Sequence, residues 1–115
     1  MFVQKIKKVY STGMDIAEKY YSVLSILNDL NLTNREIQLL AYTSVRGTIS
    51  SKPARDEYCK KYGSSLATVN NMMSSLRKKG LLVKENTKLR VNPVISPNFS
   101  QDLGLVITLV NGEDK

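Results

Sequence analysis

Histidine is absent from this sequence and cysteine occurs once, as Cys59, so the side chains that most often do covalent or metal chemistry are missing. Neither the usual general base, nor a Ser-His or Cys-His nucleophile pair, nor a zinc site of Cys/His type can be assembled within the chain. Asp15, Glu18, Asp29, Glu36, Asp56, Glu57 and Glu85 sit in amphipathic or turn contexts, and none forms a recognisable acid–base pair. The glycines are scattered singly, so no Gly-rich phosphate loop exists. No catalytic residue, metal or cofactor is expected. What remains is hydrogen bonding and charge. Ser65, Thr68, Asn70, Asn71 and Ser74 fall in one stretch that ends Arg77-Lys78-Lys79. An amide offers a donor and an acceptor side by side, a hydroxyl offers both on one atom, and the cations offer donors alone.

The formal net charge is +7, and its distribution is uneven. Residues 1–31 carry four Lys against three acids, residues 32–80 nine Lys/Arg against three, and residues 81–115 four against four. The excess therefore lies in the middle segment, where a concentrated positive field attracts phosphate backbones. A solvated lysine-rich face would show the same charge. The elements that carry it decide between the two.

Those elements are legible from periodicity and capping signals. MFVQKIKKVY is too short to assign and serves equally as a helix, a strand or an arm. Ile16, Tyr20, Val23, Leu24, Leu27 and Leu30 recur at three and four residues, which predicts a helix over 14–31 closed by Asn31. Thr33 with Glu36 forms a capping box, and Leu32 with Ile37 a hydrophobic staple. The following helix buries Ile37, Leu40, Ala41 and Val45 and stops at Arg46-Gly47. Thr48–Ser51 reads as a short extended stretch. Pro53 suits the first turn of a third helix, with Ala54, Tyr58, Cys59 and Tyr62 on its inner face and Gly63 as terminator.

Ser65 caps a fourth helix that runs to Lys79, where Gly80 stops it. Val69, Met72, Met73 and Leu76 stand at i, i+3, i+4 and i+7 and form its core face. At about 100° per residue, Ala67, Asn70, Asn71, Ser74 and Lys78 project from the opposite side. Leu81–Val83, a turn at Glu85-Asn86-Thr87 and Lys88–Val91 form a hairpin. After a loop marked by Pro93 and Pro97, Leu103–Val110 reads as a last strand, apolar on both faces and covered by the N-terminal arm or a second subunit. The expected fold is mainly α with a small β-hairpin (α+β): one domain over 1–115, with an N-terminal helix over 14–31, a winged helix-turn-helix core over 32–92 and a C-terminal loop, strand and tail over 93–115. Gly63-Ser64 permits the sharp turn between its third and fourth helices.

The stretch Ser65-Leu-Ala-Thr68-Val69-Asn-Asn-Met-Met-Ser-Ser-Leu76-Arg-Lys-Lys-Gly80-Leu81-Leu82 resembles the recognition helix and the start of the wing in MarR-like winged helix regulators. Those proteins share a Ser-x-x-Thr-Val start, a Leu seven residues after the Val and a basic pair before Gly-Leu-hydrophobic. The likeness spans roughly Leu32 to Val91 and implies a DNA-binding domain. The chain departs from that family in having only one long helix before the core, a proline-broken loop and an apolar strand after it, and no Asp-x-Arg in the wing. More loosely, Arg90-Val91-Asn92-Pro93 resembles the strand ending of winged helix plasmid and phage replication initiators.

The chemistry agrees with the likeness. A polar helix face fits the major groove, where Asn pairs well with adenine, so Asn70 and Asn71 are the candidates for base reading and Ser65, Ala67, Thr68 and Ser74 line the same face. Lys52, Arg55, Lys60, Lys61, Arg77 and Lys78 are positioned to neutralise phosphates, and Lys84, Lys88 and Arg90 charge the wing. The expected partner is double-stranded DNA, read by a bacterial or phage transcriptional regulator; an origin-binding replication initiator and a protein-interaction adaptor on the same fold are the alternatives. Homodimerisation through the terminal segments is also expected. One cysteine, no apolar run of about eighteen residues and no secretory signal place the chain in the cytoplasm of a bacterial cell or phage-infected host.

Overall fold

A computed structural model describes residues 1–114 of the chain. Four helices, a two-stranded antiparallel hairpin and two short 3-10 turns make a mainly helical α+β fold. The helices are α1 (Gly13–Leu27), α2 (Asn34–Arg46), α3 (Lys52–Tyr62) and α4 (Leu66–Lys78), and the hairpin strands are β1 (Leu82–Glu85) and β2 (Lys88–Val91). Among the described residues no helix is long and apolar enough to cross a membrane.

Each helix starts where its capping chemistry places it. Thr12, Thr33, Ser51 and Ser65 accept the amides of Asp15, Glu36, Ala54 and Thr68, so every helix has one of its orphan N–H groups satisfied by a hydroxyl. The capping box of α2 is complete: Thr33 N–H donates to the Glu36 carboxylate at 3.0 Å and Glu36 N–H to the Thr33 hydroxyl at 3.1 Å. That reciprocity explains how Glu36 can be buried. The expected helix over 14–31 ends earlier, at Leu27, because Asp29 and Asn31 turn left-handed at φ 51° and 54° and reverse the chain toward α2.

The core is centred on α2. Leu39, Leu40, Ala41, Tyr42 and Thr43 are buried there, whereas Val45, expected inside, is half exposed. The expected stripe had the wrong width: α1, α4 and the hairpin all pack on α2, so its buried arc is broader than one amphipathic face. Tyr42 and Tyr58 meet edge-on at 5.2 Å between ring centres and join α2 to α3. The Tyr42 hydroxyl donates to Glu57 at 2.6 Å, and Arg46 pairs with the same carboxylate at 2.9 Å. Burial first, and the neighbouring carboxylate second, push the Tyr42 phenol up to about 12. The phenol's hydrogen bond in turn holds Glu57 below the usual carboxylate range.

Among the described residues, neither the extended stretch over 48–51 nor the strand expected over 103–110 joins the sheet. Thr48–Ser51 forms no strand; its contact with the sheet is reduced to the Thr48 hydroxyl and the Ile49 N–H, which both donate to the Leu89 carbonyl, at 2.7 and 3.4 Å. Residues 103–110 also form no strand; Leu103 packs on the core, but Val106 is 96% exposed and the segment beyond Leu103 is not covered by it. The physical reason is the lack of a ladder partner: no backbone hydrogen bond joins it to another described segment. Phe99 docks instead. Its ring is buried against Tyr20 and Tyr21, and the Tyr21 hydroxyl holds the Ile95 carbonyl at 2.7 Å.

Candidate nucleic-acid interface

The stripe of α4 separates its two faces cleanly. Val69, Met72, Met73 and Leu76 are buried, as the spacing predicts, and Leu76 with Leu82 continues the core into the hairpin. Ser65, Ala67, Thr68, Asn70, Asn71, Ser74, Arg77 and Lys78 are all exposed. The thirteen residues of α4 rise about 20 Å at 1.5 Å per residue, and one side of that length consists of short polar side chains leading to cations. Asn70 and Asn71 make no side-chain hydrogen bond within the described chain, so their amides stay available to a ligand.

What fixes α4 against its neighbours is the turn before it. Gly63 stands at φ 65° in the left-handed region, which lets α3 end and the chain reverse within Gly63-Ser64. Arg35, in the first turn of α2, donates to the Tyr62 carbonyl at 3.2 Å and to the Ser64 hydroxyl at 2.7 Å. One guanidinium thus clamps both ends of the turn. Lys79 performs a similar service at the far end of α4, where its ammonium donates to the Leu30 carbonyl at 2.9 Å. Arg35 is not among the site residues expected from sequence. A cation beside a helix N-terminus opposes the helix dipole, and that misplacement was the signal that it had work elsewhere.

The cations fall into separate groups. Lys52 and Lys60 on α3 are exposed, as are Lys84 and Lys88 on the hairpin. Lys61 is exposed too, but its ammonium lies over the rings of Tyr62 and Tyr42, at 5.4 and 5.9 Å from their centres, a cation–π arrangement within its own domain. Arg55 and Arg90 are half-buried, and the Nε of each is enclosed without a hydrogen-bond partner among the described residues. Arg90 also pairs with Glu85 across the hairpin at 3.2 Å. The hairpin register sets Glu85 opposite Lys88 and Val83 opposite Arg90, and Asn86 makes the turn at φ 58°.

No family model, curated protein or solved structure matches the chain. The site therefore rests on its own geometry: a polar helix face, open along its length, with cations at its C-terminal end and on the two elements that flank it in the chain. Such a surface can hydrogen-bond to base edges and neutralise phosphates.

Proposed function

We propose that this chain is a winged helix-turn-helix protein that binds double-stranded DNA, laying α4 in the major groove. Asn70 and Asn71 read bases, Ser65, Thr68 and Ser74 bond to bases or backbone, and Lys52, Lys60, Arg77 and Lys78 neutralise phosphates. Lys84 and Lys88 carry the hairpin toward the adjacent backbone. The role that follows is that of a bacterial or phage transcriptional regulator, a binding protein without catalytic chemistry. The observation that carries the reading is the exposure of Ala67, Asn70, Asn71, Ser74 and Lys78 on one side of a helix whose other side is buried.

Selection of duplexes from a random pool by the purified protein, followed by titration of the enriched site across salt concentrations, tests it. Log affinity should fall linearly with log salt, with a slope of about −0.9 per phosphate neutralised. Asn70→Ala or Asn71→Ala should cost about 1–3 kcal/mol on the selected site and relax its sequence preference. Lys78→Ala should weaken every duplex alike and reduce the slope by about one. If the pool yields no enriched sequence and neither class of variant changes binding, α4 is not a recognition helix.

A further inference from the structure

The two ends of the chain leave the domain together and stay uncovered. Gly13 lies against the Phe99 backbone so closely that an added Cβ would stand 2.6 Å from the Phe99 carbonyl oxygen. From that shared root the N-terminal arm (residues 1–11) and the C-terminal arm (residues 100–110) run outward side by side. Residues 6–10 face Asp102 and Leu103, and residues 1–6 face residues 105–109, so the arms are antiparallel. Yet no backbone hydrogen bond joins them; a trough of about 480 Å³ opens between them instead. A second trough continues it over the outer side of α1, past Ile16, Tyr20 and Val23.

The arms expose much apolar surface to water. Phe2 is 88% exposed and Leu109 82%, and ten large apolar side chains of the arms are exposed in all. Leu105-Val-Ile-Thr-Leu-Val110 combines high β propensity with no charge and no proline, the kind of segment that pairs when its edge is open. The radius of gyration is 15.7 Å, against about 13 Å for a compact chain of this length.

We propose that the arms are a dimerisation seam and that its occupant is a second copy of this chain, the N-terminal arm of each copy pairing with the C-terminal arm of the other. Charge favours unlike over like arms. The N-terminal arm carries Lys5, Lys7 and Lys8 and no acid, whereas the C-terminal segment carries Asp102, Glu113 and Asp114 and no base through residue 114. Like arms would set lysines against lysines, whereas an N-terminal arm against a C-terminal arm sets them toward carboxylates; a second copy is the occupant because the two arms of one copy stand apart, with no backbone hydrogen bond between them. The area is sufficient. Ten apolar side chains at roughly 60–120 Å² each supply about the 800 Å² per partner of a standard-size interface. Pairing would also satisfy backbone groups that have no partner within one copy. This inference stands apart from the DNA reading, since a single copy keeps the whole of α4 exposed.

Sedimentation equilibrium of the full chain should give twice the monomer mass. Val106→Asp with Ile107→Asp should halve it while the far-UV spectrum stays unchanged, because both side chains are exposed in one copy. In a Cys59→Ser background, oxidising a mixture of Gln4→Cys chains and Thr108→Cys chains should give more covalent dimer than either alone. A parent chain that sediments as a monomer, or as an assembly larger than two, overturns the proposal. So does a dimer that survives the paired aspartates, a mixture that cross-links no better than its components, or a different protein found seated on the arms.

Discussion

Gly13 shows how much a single residue can decide in this fold. It occupies the first turn of α1, where alanine is ordinarily the better helix former by about 1 kcal/mol. A methyl group there would meet the Phe99 carbonyl at 2.6 Å, and the obstacle is backbone rather than a flexible side-chain tip. Gly13→Ala should therefore destabilise the protein by about 1–3 kcal/mol, the usual cost of overpacking, against its helix propensity. Gly112→Ala, where nothing lies within 4 Å, is the control and should leave the urea midpoint unmoved. An unchanged midpoint for Gly13→Ala would mean that the 98–100 loop yields freely and does not anchor the C-terminal arm. Neither Gly13 nor Phe99 could be read from sequence, because a loop contact carries no period. The stripe Val69, Met72, Met73 and Leu76 could, because a helix repeats its burial every turn.

At the scale of the element, α4 must be both a stable helix and an open surface, and Ser65 serves in both. Its hydroxyl accepts the Thr68 amide at 3.1 Å and donates to the Thr68 hydroxyl at 2.9 Å. Ser65→Ala should cost about 1 kcal/mol of stability through loss of the cap. Ser65→Asp keeps the cap and adds an anion that suits the helix N-terminus, so stability should hold while DNA affinity falls. Thermal melts beside a duplex titration separate the two effects; if the aspartate variant binds DNA as well as the parent, this end of α4 does not approach phosphate. The helices were legible from sequence because caps and periodicity are local signals, and Thr33, Ser65 and Gly63 each do what their type predicts. The strand expected over 103–110 does not form, and Thr48–Ser51 stays outside the sheet, because a strand needs a partner that local sequence does not name. The inner face of α2 was misplaced for a related reason: three neighbours surround it, so Leu39 and Tyr42 are buried where a single face would have left them outside. Of the candidate site, the open face of α4 was legible. The clamp of Arg35 on the turn was not, because it spans α2 to Tyr62 and Ser64.

The whole molecule leans on tyrosine to an unusual degree, and that dependence has a pH signature. Six tyrosines occur and there is no tryptophan. Tyr21, Tyr42 and Tyr58 are buried and hold α1, α2 and α3 to their neighbours, with hydroxyls that donate to Ile95, Glu57 and Arg35. Burial pushes the Tyr42 and Tyr58 phenols up to about 12 and raises Tyr21 as well. The unfolded chain titrates near the ordinary value of about 10. A raised pKa means that the folded state holds these protons more tightly than the unfolded state does. Their contribution to stability is thus fully present below about pH 10 and is lost as pH rises toward about 12. Alkaline unfolding should accordingly be cooperative, with loss of helical circular dichroism and tyrosinate absorbance appearing together and more than one proton released per molecule. Tyr42→Phe should flatten the transition by removing one of those protons, and it should also free Glu57, whose carboxyl is held down chiefly by that phenol. If instead all six tyrosines ionise in the ordinary range while the helices persist, these three buried tyrosines do not lock the helices together, and the apolar stripe of α4 must carry the fold without them.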